Sequence, residues 1–123
     1  GQPVPDRLQG ESRLPVLKGD ASLDDGEVVI QWNGISPEME DRHLGAARIN
    51  RMLALPWRSI VHDRWKLNLC AGDQCELFDL RNDPHEISNL FNDEAHRDRV
   101  RELAARLRIW QVRTGDTAPL PAV

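Results

Sequence analysis

The chain has 123 residues, close to the ~150 of a typical single domain, so one domain is expected. Hydrophobic residues make up 40% and charged residues 29%, and a globular chain of this size buries about 65% of its extended surface without metal or disulfide staples. The net charge of -4 argues against a strong nucleic-acid binder, and no apolar run approaches the ~18 residues of a membrane span.

Residues 1–26 carry Pro3, Pro5, Pro15 and four glycines and read as an extended, irregular lead-in. No signal peptide is present, and the chain starts with Gly1 rather than Met, as a processed or trimmed piece would. Glu27–Asn33 alternates, with Val28, Ile30 and Trp32 on one face and Glu27, Gln31 and Asn33 on the other, as in a half-buried strand. Gly34–Pro56 is a long excursion with a short helical stretch expected around Ala46–Leu55. Excursions of this length are often functional.

Trp57–His62 is strand-like, and Trp65–Cys70 alternates clearly. Gly72-Asp73 suits a two-residue type II′ turn into Cys75–Leu80. That register sets Leu67 opposite Phe78 and Trp65 opposite Leu80. Asp83-Pro84 opens a turn, and Asn92 or Asp93 caps a helix running to about Arg113. Val100, Leu103, Leu107 and Trp110 form its apolar stripe, and Gly115 is its stop. The expected fold is a two-layer α+β domain, in which a small antiparallel sheet of three to four strands packs against one long C-terminal amphipathic helix.

Chemistry is sparse. Ser59, His62 and Asp63 lie close in sequence, but Ser59 and His62 would point to opposite faces of a strand, and no nucleophile elbow is present. His43, His62, His85 and His96 have no metal-ligand spacing, and the Cys70-x₄-Cys75 pair lacks a second pair for zinc. Asp79, Asp83 and Glu86 could hold a hard cation, but turn formation and capping explain the same residues better. The helix carries 6 Arg against 4 acids over residues 93–113, a solvated face laced with pairs such as Glu102–Arg106.

Larger patterns carry a resemblance. Glu76-Leu77-Phe78-Asp79-Leu80, followed by Asp83-Pro84-His85-Glu86 and Asn89-Leu90, resembles a segment near the C-terminus of sulfatases. Arg58–Leu67 is similar to that family's Arg-x-Val-Arg-Thr-x-x-Tyr-Lys strand pair. Gln9–Gly19 resembles its Asp-Gly-x-Ser-Leu-Leu-Pro-Leu-Leu-x-Gly stretch, and Gly1–Pro5 its Pro-rich lead-in. Leu107–Trp110 with Thr114-Gly115-Asp116 fits its terminal helix. Trp65 and Phe78 stand where the family has tyrosines, and Gln9 replaces an acid.

The resemblance implies the C-terminal subdomain of an arylsulfatase-like, formylglycine-dependent sulfatase: residues 1–26 as lead-in and 27–123 as the α+β subdomain. Ca²⁺ and formylglycine are then expected in a missing catalytic domain, with no catalytic residue, metal ligand or cofactor in this chain. Neither Cys70 nor Cys75 lies in a Cys/Ser-x-Pro/Ala-x-Arg motif. The implied partner is the catalytic domain of the same parent chain, with no nucleic acid or membrane. An exposed packing face would also allow homo-oligomerisation, and a stand-alone interaction module is the alternative class.

Two site expectations follow. Arg42, His43, Arg48 and Arg51 in the excursion are candidates to meet an anionic substrate, with a solvated loop as the plainer reading. The Gly72-Asp73 register makes Cys70 and Cys75 a non-hydrogen-bonded pair with Cα atoms ~4.5 Å apart, within reach of a disulfide. Export of the parent to the periplasm or outside the cell would let that bond persist, and two free thiols are the alternative.

Overall fold

The computed structural model describes residue 5 and residues 12–22, 26–35 and 52–123. In the lead-in, α1 (Leu14–Leu17) is one helical turn with Pro15 near its start, where a missing N–H costs nothing. Four strands follow: β1 (Glu27–Trp32), β2 (Trp57–His62), β3 (Trp65–Cys70) and β4 (Glu76–Asp79). They pair antiparallel in the order β1-β2-β3-β4. The β2–β3 turn needs no glycine, because Asp63 takes the left-handed conformation (φ 53°) that Asp tolerates.

Register decides which side chains share a face. Val29 lies opposite Ile60, Ile60 opposite Leu67, and Leu67 opposite Leu77, an apolar row across all four strands. Asp93 Oδ1 accepts from the Ala95 N–H at 2.9 Å and starts a 3₁₀ turn, Glu94–His96. The helix α2 (Arg97–Thr114) continues it and ends at Gly115, which is left-handed at φ 70°. Val100, Leu103, Ala104 and Leu107 of α2 are buried against Ile60, Trp65, Leu67, Leu69 and Leu77. Each fully buried leucine contributes about 1.5–3 kcal/mol from burial. The architecture is the expected two-layer α+β fold, with a four-stranded sheet and one long helix.

Two expectations need correction. The β3–β4 register is shifted by one residue: Leu67 faces Leu77 rather than Phe78, and Trp65 faces Asp79 rather than Leu80. Gly72 does not have the positive φ of a type II′ turn. It is instead a close-approach glycine, since a Cβ there would lie 2.7 Å from Leu55 Cδ2. The shift places Leu77 over the helix and Phe78 on the other face. The second correction concerns β1. Val28, Ile30 and Trp32 do share a face, but it turns away from α2, and Val29 packs against the core instead.

Candidate functional site

The side of the sheet away from α2 is the candidate. Val28, Ile30 and Trp32 of β1 are 59%, 45% and 36% exposed there. Trp57 lies opposite Trp32, and Val61 opposite Val28, so the apolar patch extends onto β2. Single exposed hydrophobic residues need no explanation, but these adjoin one another on one sheet face.

Within this face, Ser59 and Asn68 lie opposite each other on β2 and β3. They line a cavity of about 310 Å³ together with Ile30, Trp57, Lys66 and Glu76. Ser59 is 1% exposed, and its Oγ has no hydrogen-bond partner. The Asn68 amide nitrogen donates to Glu76 Oε2 at 2.8 Å, while its buried Oδ1 has no partner. Buried polar groups are normally satisfied, so two orphans side by side mark this spot. Lys66 is already engaged, donating to Glu86 Oε2 at 2.6 Å. Among the described residues no basic side chain pairs with Glu76.

The opposite face carries a polar knot. Arg58, 2% exposed, donates through Nε to Asp116 Oδ2 at 3.1 Å and through Nη2 to Asp116 Oδ1. It also donates to Asn33 Oδ1 and to the Trp32 and Trp57 carbonyls, all within 2.9 Å. The Arg58 hydrogen bonds hold the Asp116 carboxyl below the usual carboxylate range, and the Gln111 amide assists. Every Arg58 nitrogen is engaged inside the fold, so the group serves structure.

The Asp79, Asp83 and Glu86 carboxylates are likewise engaged. Asp79 accepts the Arg81 and Asn82 N–H groups and pairs with Arg64 at 3.4 Å. Asp83 accepts the Ser88 N–H at 2.8 Å, and the Ser88 and Ile87 N–H groups hold its carboxyl below the usual range. Trp65 is enclosed by Arg64 and Arg99, 5.1 and 5.5 Å from its ring, with the His96 ring edge-on at 5.3 Å. Ser59 and His62 fall on opposite faces of β2, as strand alternation requires.

Both cysteines are free. Cys70 follows Asn68 on the outer face, and its thiol donates to the Pro56 carbonyl at 3.6 Å. Cys75 packs against the core, and its thiol donates to the Cys70 carbonyl at 3.6 Å. The one-residue register shift separates them, because it moves one partner of the expected pair to the other face. In this structure the two thiols are not joined in the disulfide expected from the two-residue turn. Burial pushes the Cys75 thiol pKa up.

Arg42, His43, Arg48 and Arg51 lie outside the described residues. The ends of their segment are held at the β1–β2 end of the sheet, where Trp32 Nε1 donates to the Leu53 carbonyl at 3.0 Å and the Ile35 N–H to the same oxygen at 3.1 Å. No metal-ligating group of three or more His, Cys, Asp or Glu occurs among the described residues. No helix among them is long and apolar enough to cross a membrane. Sequence reasoning missed the Ser59–Asn68 pair. Its only trace was a polar residue at an outward position of each central strand.

Comparison with known proteins gives this face a context. The family model of the N-sulphoglucosamine sulphohydrolase C-terminal region matches residues 1–113. An uncharacterized protein of Haemophilus influenzae is 30% identical over 115 residues, covering 94% of this chain and 51% of the relative. Two solved structures, a protein put forward as a sulfatase from Bacteroides thetaiotaomicron VPI-5482 and a 2-O GAG sulfatase, each superpose with a TM-score of 0.72 at 24% identity. They cover 98% of this chain but only 24% of their own chains, and that likeness bears on the fold. The chain thus spans about half of its curated relative and a quarter of the solved ones. By the family match over nearly its whole length, the chain belongs to the N-sulphoglucosamine sulphohydrolase C-terminal family.

Proposed function

We propose that this chain is the non-catalytic C-terminal subdomain of a sulfatase, and that its outer sheet face seats it on the remainder of that enzyme. The observation that carries this reading is the exposed row Val28, Ile30 and Trp32 on the side of the sheet that α2 leaves uncovered. A family defined as the C-terminal part of a sulphohydrolase has a larger body beside it, and an apolar face suits such a permanent contact.

The reaction itself belongs to the remainder. Ca²⁺ and a formylglycine would supply the Lewis acid and the nucleophile there. The described residues of this chain do not fit either group. Neither cysteine has the Cys/Ser-x-Pro/Ala-x-Arg context, and the Asp79, Asp83 and Glu86 carboxylates are held by backbone N–H groups or by Lys66. A contribution to substrate access is assigned to the excursion bearing Arg42, His43, Arg48 and Arg51. Basic side chains there would meet a sulfate ester.

The test is expression of the reading frame extended upstream of Gly1. The extended protein is expected to contain a Cys/Ser-x-Pro/Ala-x-Arg motif and to release sulfate from an aryl sulfate or from N-sulfoglucosamine. The 123-residue chain alone is expected to release none. Turnover by the short chain, or an extended protein lacking the motif, overturns the reading. Within an active parent, an unchanged kcat/KM in the double variant Arg42→Ala, His43→Ala removes the substrate-access role alone.

A further inference from the structure

We propose that the Ser59–Asn68 cavity is the anchor point of the docking face and takes an arginine or lysine side chain from the remainder of the sulfatase. This rests on the docking reading above and adds the chemistry of the contact.

Three observations specify the occupant. First, the cavity is built: Ser59 is 1% exposed yet its hydroxyl is unpartnered, and it lines a space of about 310 Å³ beside Asn68. Second, the free capacity is weighted towards acceptors. Asn68 Oδ1 can only accept, and the Asn68 amide already donates to Glu76. The Ser59 hydroxyl brings two free lone pairs beside its single O–H, so free acceptors outnumber free donors and the cavity favours a donor-rich group. Third, the charge is one-sided. Glu76 borders the cavity with no basic partner among the described residues, while the cation there, Lys66, is neutralised by Glu86. A guanidinium or ammonium group offers several donors and a positive charge together, whereas an amide or hydroxyl offers only the first. The surrounding Ile30 and Trp57 would cover the aliphatic stem of such a side chain, as apolar surfaces do for arginine and lysine. The chain covers only a quarter of the solved sulfatases it resembles, so ample protein remains to supply that side chain.

Ser59→Ala provides a test with opposite signs in two contexts. In the 123-residue chain it deletes a buried unpaired hydroxyl, so the melting midpoint should stay level or rise. In the full-length protein it deletes half of an acceptor pair facing a charge, so the midpoint should fall by about 2 °C or more. A level or raised midpoint in both contexts overturns the anchor. A structure of the full-length protein separates the remaining outcomes. An arginine or lysine nitrogen within hydrogen-bond distance of Ser59 Oγ and Asn68 Oδ1 supports the proposal. Water or an apolar side chain in the cavity of a covered face overturns the anchor while docking stands. A face open to solvent, or covered by a second copy of this chain, overturns docking itself.

Discussion

Arg58 and Asp116, 58 positions apart in the chain, form a two-point ion pair that fastens the start of β2 to the segment just beyond α2. The fork also reaches the end of β1, so one side chain joins three parts of the fold. Arg58→Ala is expected to cost about 3–5 kcal/mol, because it takes the Arg58 donors away from the Asp116 carboxylate, the Asn33 side-chain oxygen and the Trp32 and Trp57 carbonyls. Arg58→Lys should recover only part of this, since an ammonium lacks the planar fork. Urea unfolding of the three proteins checks both statements. A loss below about 1 kcal/mol for the alanine variant would show the knot to be dispensable.

The same pair sets an acid limit. The Asp116 pKa is lowered in the fold, chiefly by Arg58, so the folded carboxyl binds its proton less readily than the unfolded one. Its contribution is therefore complete above the unfolded value of about 4 and is lost as pH falls through the folded value. Wild-type stability should drop more steeply below about pH 4 than that of Asp116→Asn, which has no proton to gain. Parallel acid profiles for the two would contradict this assignment.

Two glycines are expected to respond differently to alanine. Gly34 has φ +83°, and a Cβ there would run into the Ala54 carbonyl, which is backbone and cannot turn aside. Gly34→Ala should cost at least about 2 kcal/mol. At Gly72 the obstacle is the tip of the Leu55 side chain, which can rotate away. Gly72→Ala should cost about 1 kcal/mol or less. Equal losses in thermal unfolding would show that the Ala54 backbone yields to an added methyl as readily as the Leu55 side chain does.

Intact mass without reductant should match the fully reduced chain, and alkylation after denaturation should modify both Cys70 and Cys75. In the native state Cys75 should react more slowly near neutral pH, since burial raises its pKa and so reduces its thiolate fraction. A mass short by two hydrogens would show that the hairpin can close a disulfide after all.

The helix was legible because its signals are local. Asp93, the stripe through Val100, Leu103 and Leu107, and Gly115 all lie within one element and its ends. The sheet was legible in composition but not in register. Leu77 and Phe78 are adjacent and both apolar, so alternation alone could not say which of them meets Leu67. The apolar row of β1 announced a buried face, but not whether α2 or some other body covers it. Arg58 stood out only within a longer motif, because its role depends on Asp116 far along the chain. The orphaned Ser59 and Asn68 were invisible, since pairing across two strands creates their shared cavity.

At the far edge of the sheet, Asn89 substitutes for a fifth strand. Its Oδ1 accepts the Leu77 N–H at 3.1 Å, its amide nitrogen donates to the Cys75 carbonyl at 3.1 Å, and the next residue, Leu90, donates its N–H to the Leu77 carbonyl at 2.9 Å. The Leu77 N–H and carbonyl, which another molecule would use to extend the ladder there, are already consumed. Lateral growth into fibrils, the standing hazard of an open strand, is thereby blocked at β4, and the Asn-Leu dipeptide works as a molecular selvedge for the weave.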